Sequence, residues 1–405
     1  MNIHQETTGQ LSSTRYHMID SDTHFTEPHD LWVSRASEKF KARVPQVKEV
    51  NGVRSWYIDG SISIGDGAFP NSAIKKDGNK ARTTDEFFGL TIEDVHPASF
   101  DVDARLKYMD QNGVWAHIMY PNILGFGGQQ SAKVDPELRL VSTMIFNDAM
   151  ADIQAQSAGR LCGMALLPWW DVNDAVAETK RCLDLGLKGI NINSAPHNHQ
   201  RPDGGKLPPL GDVYWDPLWD LCNQTRLPIN FHIGSSDQSM DWMGSQWWPG
   251  MREGMAFGIG GAMLFFQNAQ TLGNLIYSGL LDRFTELQFV SVESGIGWIP
   301  FMLEALDYQY DEIAGSTGLQ RHPSEYFATN FHGTFWFEEK FIEQQIRMVG
   351  LDRCMFQTDF PHPTSLYPIG DLGSRLRGFS KDERQAVLFG NCARLYGIEL
   401  PSNIE

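Results

Sequence analysis

Residues 18–28, Met18-Ile19-Asp20-Ser21-Asp22-Thr23-His24-Phe25-Thr26-Glu27-Pro28, decide how the rest of the chain is read. A short apolar start runs into Asp22-x-His24, and Pro28 then closes the stretch because proline has no N–H to offer a central strand. Side chains two apart on an extended chain leave on the same face, so Asp22 and His24 point together from the strand end. Such a pair is either a hydrogen-bonded couple or two ligands of a divalent ion, since one carboxylate oxygen and one imidazole nitrogen suit zinc, manganese or iron. What stands at the ends of the later strands chooses between them.

Working outward, seven further apolar runs read as strands: WAHIMYP (115–121), LCGMALLP (161–168), KGININ (188–193), LPINFHIG (227–234), LQFVSVESG (287–295), NFHGTFWF (330–337) and CMFQTDFPHP (354–363). They are continuous apolar runs, as expected of strands buried on both faces. Helical patterns separate most of them, among them 136–157, the Gly186-closed helix from Val172, 298–313 and 381–397. Eight strands alternating with helices predict an α/β fold, a (β/α)8 TIM barrel of the metal-dependent hydrolase type. One barrel domain over 18–405 is expected, preceded by a loose leader over 1–17. An insertion at approximately 36–96 follows the first strand and carries a small β-hairpin, with turn residues at Asn51-Gly52 and Asp59-Gly60. Its KKDGNKARTTDEF stretch (75–87) reads as an exposed loop. Helical and loop insertions follow the fifth strand, roughly over 235–275.

With 33 basic and 50 acidic residues the 405-residue chain has a formal net charge of −17, which argues against nucleic acid or an anionic membrane as partner. It leaves room for an anionic small molecule, because a few local cations outweigh a diffuse field. The five cysteines, Cys162, Cys182, Cys222, Cys354 and Cys392, are odd in number and lack C-x-x-C spacing, so a reducing cytoplasm is expected. The first residues have no apolar core for a signal peptide, and no run approaches the ~20 apolar residues of a membrane span.

In barrels of this kind the chemistry sits at the C-terminal strand ends. The first strand ends at Asp22-x-His24, the fifth at His232, the sixth at Glu293 and the eighth at Asp359. Each alone has a bland reading, as a core histidine or a helix-capping acid; four at one mouth point to a metal site.

Together with Glu27-Pro28, the FHIG strand, VESGIGWIPFML, TDFPHP, RLxxMDxxGV and GNCARLYG, these motifs resemble the amidohydrolase superfamily. The resemblance is to its branch around aminocarboxymuconate-semialdehyde decarboxylase and the benzoate-type decarboxylases, and it covers about residues 18–400. It implies a metal held by Asp22, His24, His232 and Asp359. Two departures stand out. Asp22 occupies a place where the founding decarboxylase has a His. Glu293-Ser294-Gly295 stands where the decarboxylases carry a catalytic His followed by Gly, and a Glu is not the cationic acid that an imidazolium is.

The expected function is therefore metal-assisted hydrolysis of a small carbonyl, ester, thioester or amide compound, with one or two divalent ions (Zn, Mn or Fe) activating water. Asp359 is the expected base, and Glu293 a second base or an extra ligand. His362 either polarises the substrate or holds its loop. The alternative is nonoxidative decarboxylation of an aromatic or enoic acid, with Asp359 or His362 as the acid; a barrel that only binds is the third reading. Arg252, Tyr120 and Trp248 are expected against the substrate. Trp242, Trp247 and Trp248 form either an apolar wall or a subunit contact, and a homodimer or higher homo-oligomer is expected. His197-x-His199 has ligand spacing but lies in a loop, and Gly258–Gly261 follows no strand, which argues against a phosphate cradle.

Overall fold

The computed structural model describes residues 16–401 except 66, 68, 202 and 244–246. Most of the expected leader therefore lies outside the described residues, but its last two positions are anchored. Tyr16 is buried, its ring 5.0 Å from that of Trp115 and its hydroxyl donating to Asp110 Oδ1 at 3.1 Å, and His17 N bonds Gly113 O at 2.7 Å. An aromatic side chain with an apolar wall to lie on fixes the chain two residues before the first strand.

That strand, β1, is Met18–His24 and is buried throughout. The insertion after it holds an antiparallel sheet of β2 (Gln46–Val50), β3 (Val53–Ile58) and β4 (Ile62–Ser63). Val50 pairs with Val53 across Asn51 and Gly52, whose φ values of 53° and 79° are those of a two-residue hairpin turn matched to strand twist. The expected hairpin is present.

The remaining strands are β5 (Val114–Tyr120), β6 (Leu161–Gly163), β7 (Ala165–Leu166), β8 (Ile190–Asn191), β9 (Ile229–His232), β10 (Phe289–Val292), β11 (Phe331–Phe335) and β12 (Cys354–Phe356). They form two parallel sheets, ordered β1-β5-β6 and β7-β8-β9-β10-β11-β12. The run at 161–168, expected as one strand, turns between two neighbours: Met164 N bonds Met119 O at 2.9 Å, while Ala165 N bonds Gly189 O at 3.0 Å. At the other ends, Asp359 N bonds Asp22 O at 2.9 Å and His24 N bonds Phe360 O at 2.8 Å. The segment after β12 thus lies along the end of β1.

Helices cross between the parallel strands, and their starts are written in the sequence. Asp101, Asp135 and Asp171 each accept backbone N–H groups at the N-termini of Val102–Gln111, Pro136–Gln156 and Val172–Asp184. The helix expected over 381–397 is present as a continuous segment, Lys381–Tyr396, widened to a π turn at Ala386–Gly390. No helix among the described residues is long and apolar enough to cross a membrane.

Candidate metal centre

The ends of β1, β9, β10 and β12 bring Asp22, His24, His232, Glu293 and Asp359 together, with His362 beside them, all buried. Asp22 Oδ1 is 3.7 Å from His24 Nε2 and 3.6 Å from His232 Nε2; Asp359 Oδ1 is 3.5 Å from His24 Nε2; Glu293 Oε2 is 3.2 Å from His232 Nε2. Most of these are too long for hydrogen bonds. They match the spacing of two ligand atoms on one ion, about 3.4 Å for bonds of about 2.1 Å in a tetrahedral set. His232 makes the case chemically. Its Nδ1 lies 2.8 Å from the Ile233 carbonyl, so Nδ1 carries the proton and Nε2 presents a lone pair to two carboxylates. A cation among them would satisfy all three, where otherwise a proton has to be shared. His24 Nε2, His232 Nε2 and Asp22 Oδ1 make no hydrogen bond. The residues fit a divalent ion.

Electrostatics agree. Burial, followed by the nearby Asp20, pushes the Asp22 carboxyl well up; burial and then Asp359 do the same for Glu293, and burial and then Asp22 for Asp359. Burial lowers His24 strongly and His362 to about 4. Desolvated acids crowded without a compensating charge hold on to protons, and a divalent cation removes the need for them.

Two of the acids are aimed by the backbone. Glu293 and Asp359 have φ values of +53° and +58°, a left-handed conformation that side chains other than Gly and Asn rarely adopt and that concentrates at functional sites. Nothing in the local sequence announces it.

His362 sits 3.7 Å above His24, ring on ring, with Nδ1 3.0 Å from Asp359 Oδ1. Its orientation comes from Asn122 and Glu27, neither of which was expected as a ligand or catalytic group. The Asn122 amide nitrogen donates to Phe25 O (3.1 Å) and Glu27 Oε2 (2.9 Å), so its oxygen faces His362 Nε2 at 2.9 Å and must accept from it. Glu27 is held in turn by the N–H groups of Asn122 and Ile123. Thr364, at the exposed mouth, bonds both Glu293 Oε1 (3.1 Å) and Asp359 Oδ2. A hydroxyl donates only one proton, so serving both contacts requires one of the two carboxyls to be protonated and to donate back.

Phe126 covers the histidines, 4.4 Å from the His232 ring and 5.4 Å from that of His24. The turn that carries it needs glycine at 127, where a Cβ would lie 2.0 Å from the Ser235 carbonyl oxygen. Gly127→Ala is expected to shift Phe126 and weaken metal binding by about 10–100-fold, as other changes around metal ligands do, checked by competition with a chelator.

The other expected residues lie outside the cluster itself. Tyr120 lies 5.2 Å from the His232 ring, but its hydroxyl is tied to Asn230 at 3.0 Å. Trp248 is half-buried in the insertion and donates to Trp242 O at 2.9 Å, and Trp242 stacks on Trp247. Arg252 is exposed at the start of the helix Glu253–Leu264, which also contains Gly258–Gly261. His197 and His199 stay out of the cluster; His199 packs on Trp169. The loop 75–87, expected to be exposed, instead sends Lys80 inward to the Ser365 carbonyl.

The profile of the Amidohydrolase family (Amidohydro_2) matches residues 19–398, and the chain belongs to that family. It is similar to 2-amino-3-carboxymuconate-6-semialdehyde decarboxylase of Dictyostelium discoideum, 20% identical over 77% of this chain and 80% of the relative. Gamma-resorcylate decarboxylase of Rhodococcus jostii (strain RHA1) is 27% identical over 64% of this chain and 77% of the relative. Among solved structures, an amidohydrolase from Mycobacterium avium subsp. paratuberculosis K-10 superposes with a TM-score of 0.73, at 20% identity, over 95% of this chain and 99% of that one. A dihydroxybenzoic acid decarboxylase from Polaromonas sp. JS666, with bound manganese and an inhibitor, gives 0.56 at 21% identity over 76% and 89%.

These relatives overturn the expectation of hydrolysis, since both are decarboxylases. The expectation leaned on Glu293 being unable to serve as an acid. A neutral carboxyl is also an acid, and burial among other acids raises the Glu293 carboxyl well above its usual range.

Proposed function

We propose that this protein is a metal-dependent carboxy-lyase that removes a carboxylate as CO2 from a small aromatic or enoic acid. The observation that carries the reading is the pair of buried, overlapping groups Asp22–His24–His232–Glu293 and His24–Glu293–Asp359–His362, in a chain similar to two decarboxylases. We read the two parallel sheets as one closed (β/α)8 barrel; the Met164 switch and the Asp22–Asp359 backbone bond support it.

Asp22, His24, His232 and Asp359 would hold the ion, and manganese is the first to test because the Polaromonas enzyme holds it. A bound ion would supply positive charge that holds and neutralises the substrate carboxylate. Glu293, buried and bonded to Thr364, is placed to deliver a proton to the carbon bearing that carboxylate. The C–C bond to the carboxylate then breaks, its electron pair returns to the ring or alkene, and CO2 leaves. His362, held by Asn122, positions Asp359, and Phe126 excludes water from the histidines.

Metal-loaded protein is offered hydroxybenzoates and enoic diacids in D2O. One CO2 per product, with one deuterium at the vacated carbon, is expected. Solvent oxygen in the product without CO2 would overturn the proposal.

A further inference from the structure

Of the residues in RLxxMDxxGV (105–114), Met109 fills the core, Asp110 pairs with Arg160 at 2.8 Å and Val114 opens β5. Arg105, fully buried on the helix Val102–Gln111, reaches the backbone of the metal centre instead. Its guanidinium donates to the Ala98 carbonyl through Nε, to the His24 carbonyl at 2.7 Å and to His117 Nδ1 at 3.1 Å. The imidazole nitrogen must accept, because arginine has donors only. The flat group also lies 4.6 Å from the ring centre of Phe360 and 5.5 Å from that of Phe25. Phe25 follows His24 in the chain, and Phe360 follows Asp359. None of these partners is a carboxylate, so a buried cation stands here without the counter-ion that usually accompanies one.

We propose that Arg105 is a positioning residue for the metal centre: its guanidinium clamps the chain at His24 and at Phe360, and so fixes where the His24 and Asp359 side chains point. The clamp presupposes the metal site of the proposed function, though not its reaction. His24 is held on both sides, its N–H on the Phe360 carbonyl at 2.8 Å and its own carbonyl on Arg105. Asp359 is bracketed as well. Before it, Asp20 accepts from Thr358 N at 2.7 Å and from the Thr358 hydroxyl; after it, Arg105 stacks on Phe360. Asp359 itself has the φ of +58°, and a residue of its type keeps a left-handed backbone only where its surroundings over-determine it. A fork suits this task better than a point charge. One planar group meets three acceptors and an aromatic face at once, whereas a lysine ammonium is a compact charge without that fixed geometry.

The test uses cobalt, whose visible absorption reports coordination geometry, with affinity measured by competition against a chelator. Arg105→Gln is expected to weaken cobalt binding by about 10–100-fold, the range for groups that orient metal ligands, and to shift the bands of the bound ion. Arg105→Lys keeps the charge without the fork and is expected to recover no more than about threefold of that loss. Arg139→Gln is the control: Arg139 is another buried arginine, stacked 4.5 Å from the Trp170 ring centre and outside the cluster. It is expected to lower the melting temperature and leave cobalt affinity and spectrum unchanged. His117→Leu leaves the guanidinium in place but removes one of its acceptors, and is expected to cost about three- to tenfold in affinity. His117→Asn, with an oxygen to stand in for Nδ1, is expected to restore it. Wild-type affinity and spectrum in Arg105→Gln, full rescue by lysine, or equal affinities in the two His117 variants would overturn the clamp. A wild type that takes up no cobalt would overturn the metal centre and the clamp with it. Failure to release CO2 from any acid would refute the carboxy-lyase reading and leave the clamp standing.

Discussion

Glu293→Gln is expected to keep its metal and lose turnover by about a hundred- to ten-thousandfold, the range for removing a positioned proton donor. Glutamine preserves the length of the side chain, its contact with His232 3.2 Å away and an acceptor for Thr364. It carries no acidic proton. The measurements are kcat and the metal content of the purified variant. Unchanged metal with lost turnover supports the proton-donor role; loss of one metal equivalent would make Glu293 a ligand instead. Thr364→Val gives a milder counterpart, because it removes the hydroxyl shared with Asp359 and leaves both carboxyls in place.

Asp22→Ala is expected to abolish turnover and metal binding together, with stability responding in opposite directions in the two metal states. In the metal-free protein burial makes Asp22 keep a proton that the unfolded chain releases at neutral pH, so its removal relieves that cost of folding and leaves the melting temperature equal or higher. In the wild type, metal at a thousandfold excess over its dissociation constant adds about 4 kcal/mol of stability, which the variant cannot gain. Thermal denaturation with manganese and with chelator checks both signs. An Asp22→Ala protein still stabilised by manganese would remove Asp22 from the ligand set.

The strand ends were legible because each ligand closes an apolar run, a local pattern that survives in one dimension. Asn51-Gly52 was legible for the same reason, since a two-residue turn with positive φ at both positions calls for those residue types. Asn122, Glu27 and Thr364 were not, because their roles exist only after loops far apart in the chain converge. The Asn122 bond to His362 spans 240 residues and the Lys80 bond to Ser365 spans 285. Lys80 was misread for a physical reason: KKDGNKARTTDEF is polar throughout, and polarity predicts exposure unless a partner waits inside. Tyr16 errs in the same direction, an aromatic residue at the end of a polar stretch that found a wall to pack on. The reaction was misjudged because the acidity of Glu293 is set by its surroundings, which residue type alone does not reveal.

The left-handed backbone at Glu293 and Asp359 bears on any attempt to engineer this protein for heat resistance. Glycine at either position would relax a conformation costing roughly 1–2 kcal/mol and would take a carboxylate out of a crowd of like charges. A library ranked by melting temperature in chelating buffer would therefore be drawn to the two substitutions that disarm the enzyme. Selection has to be run with metal present and turnover as the readout.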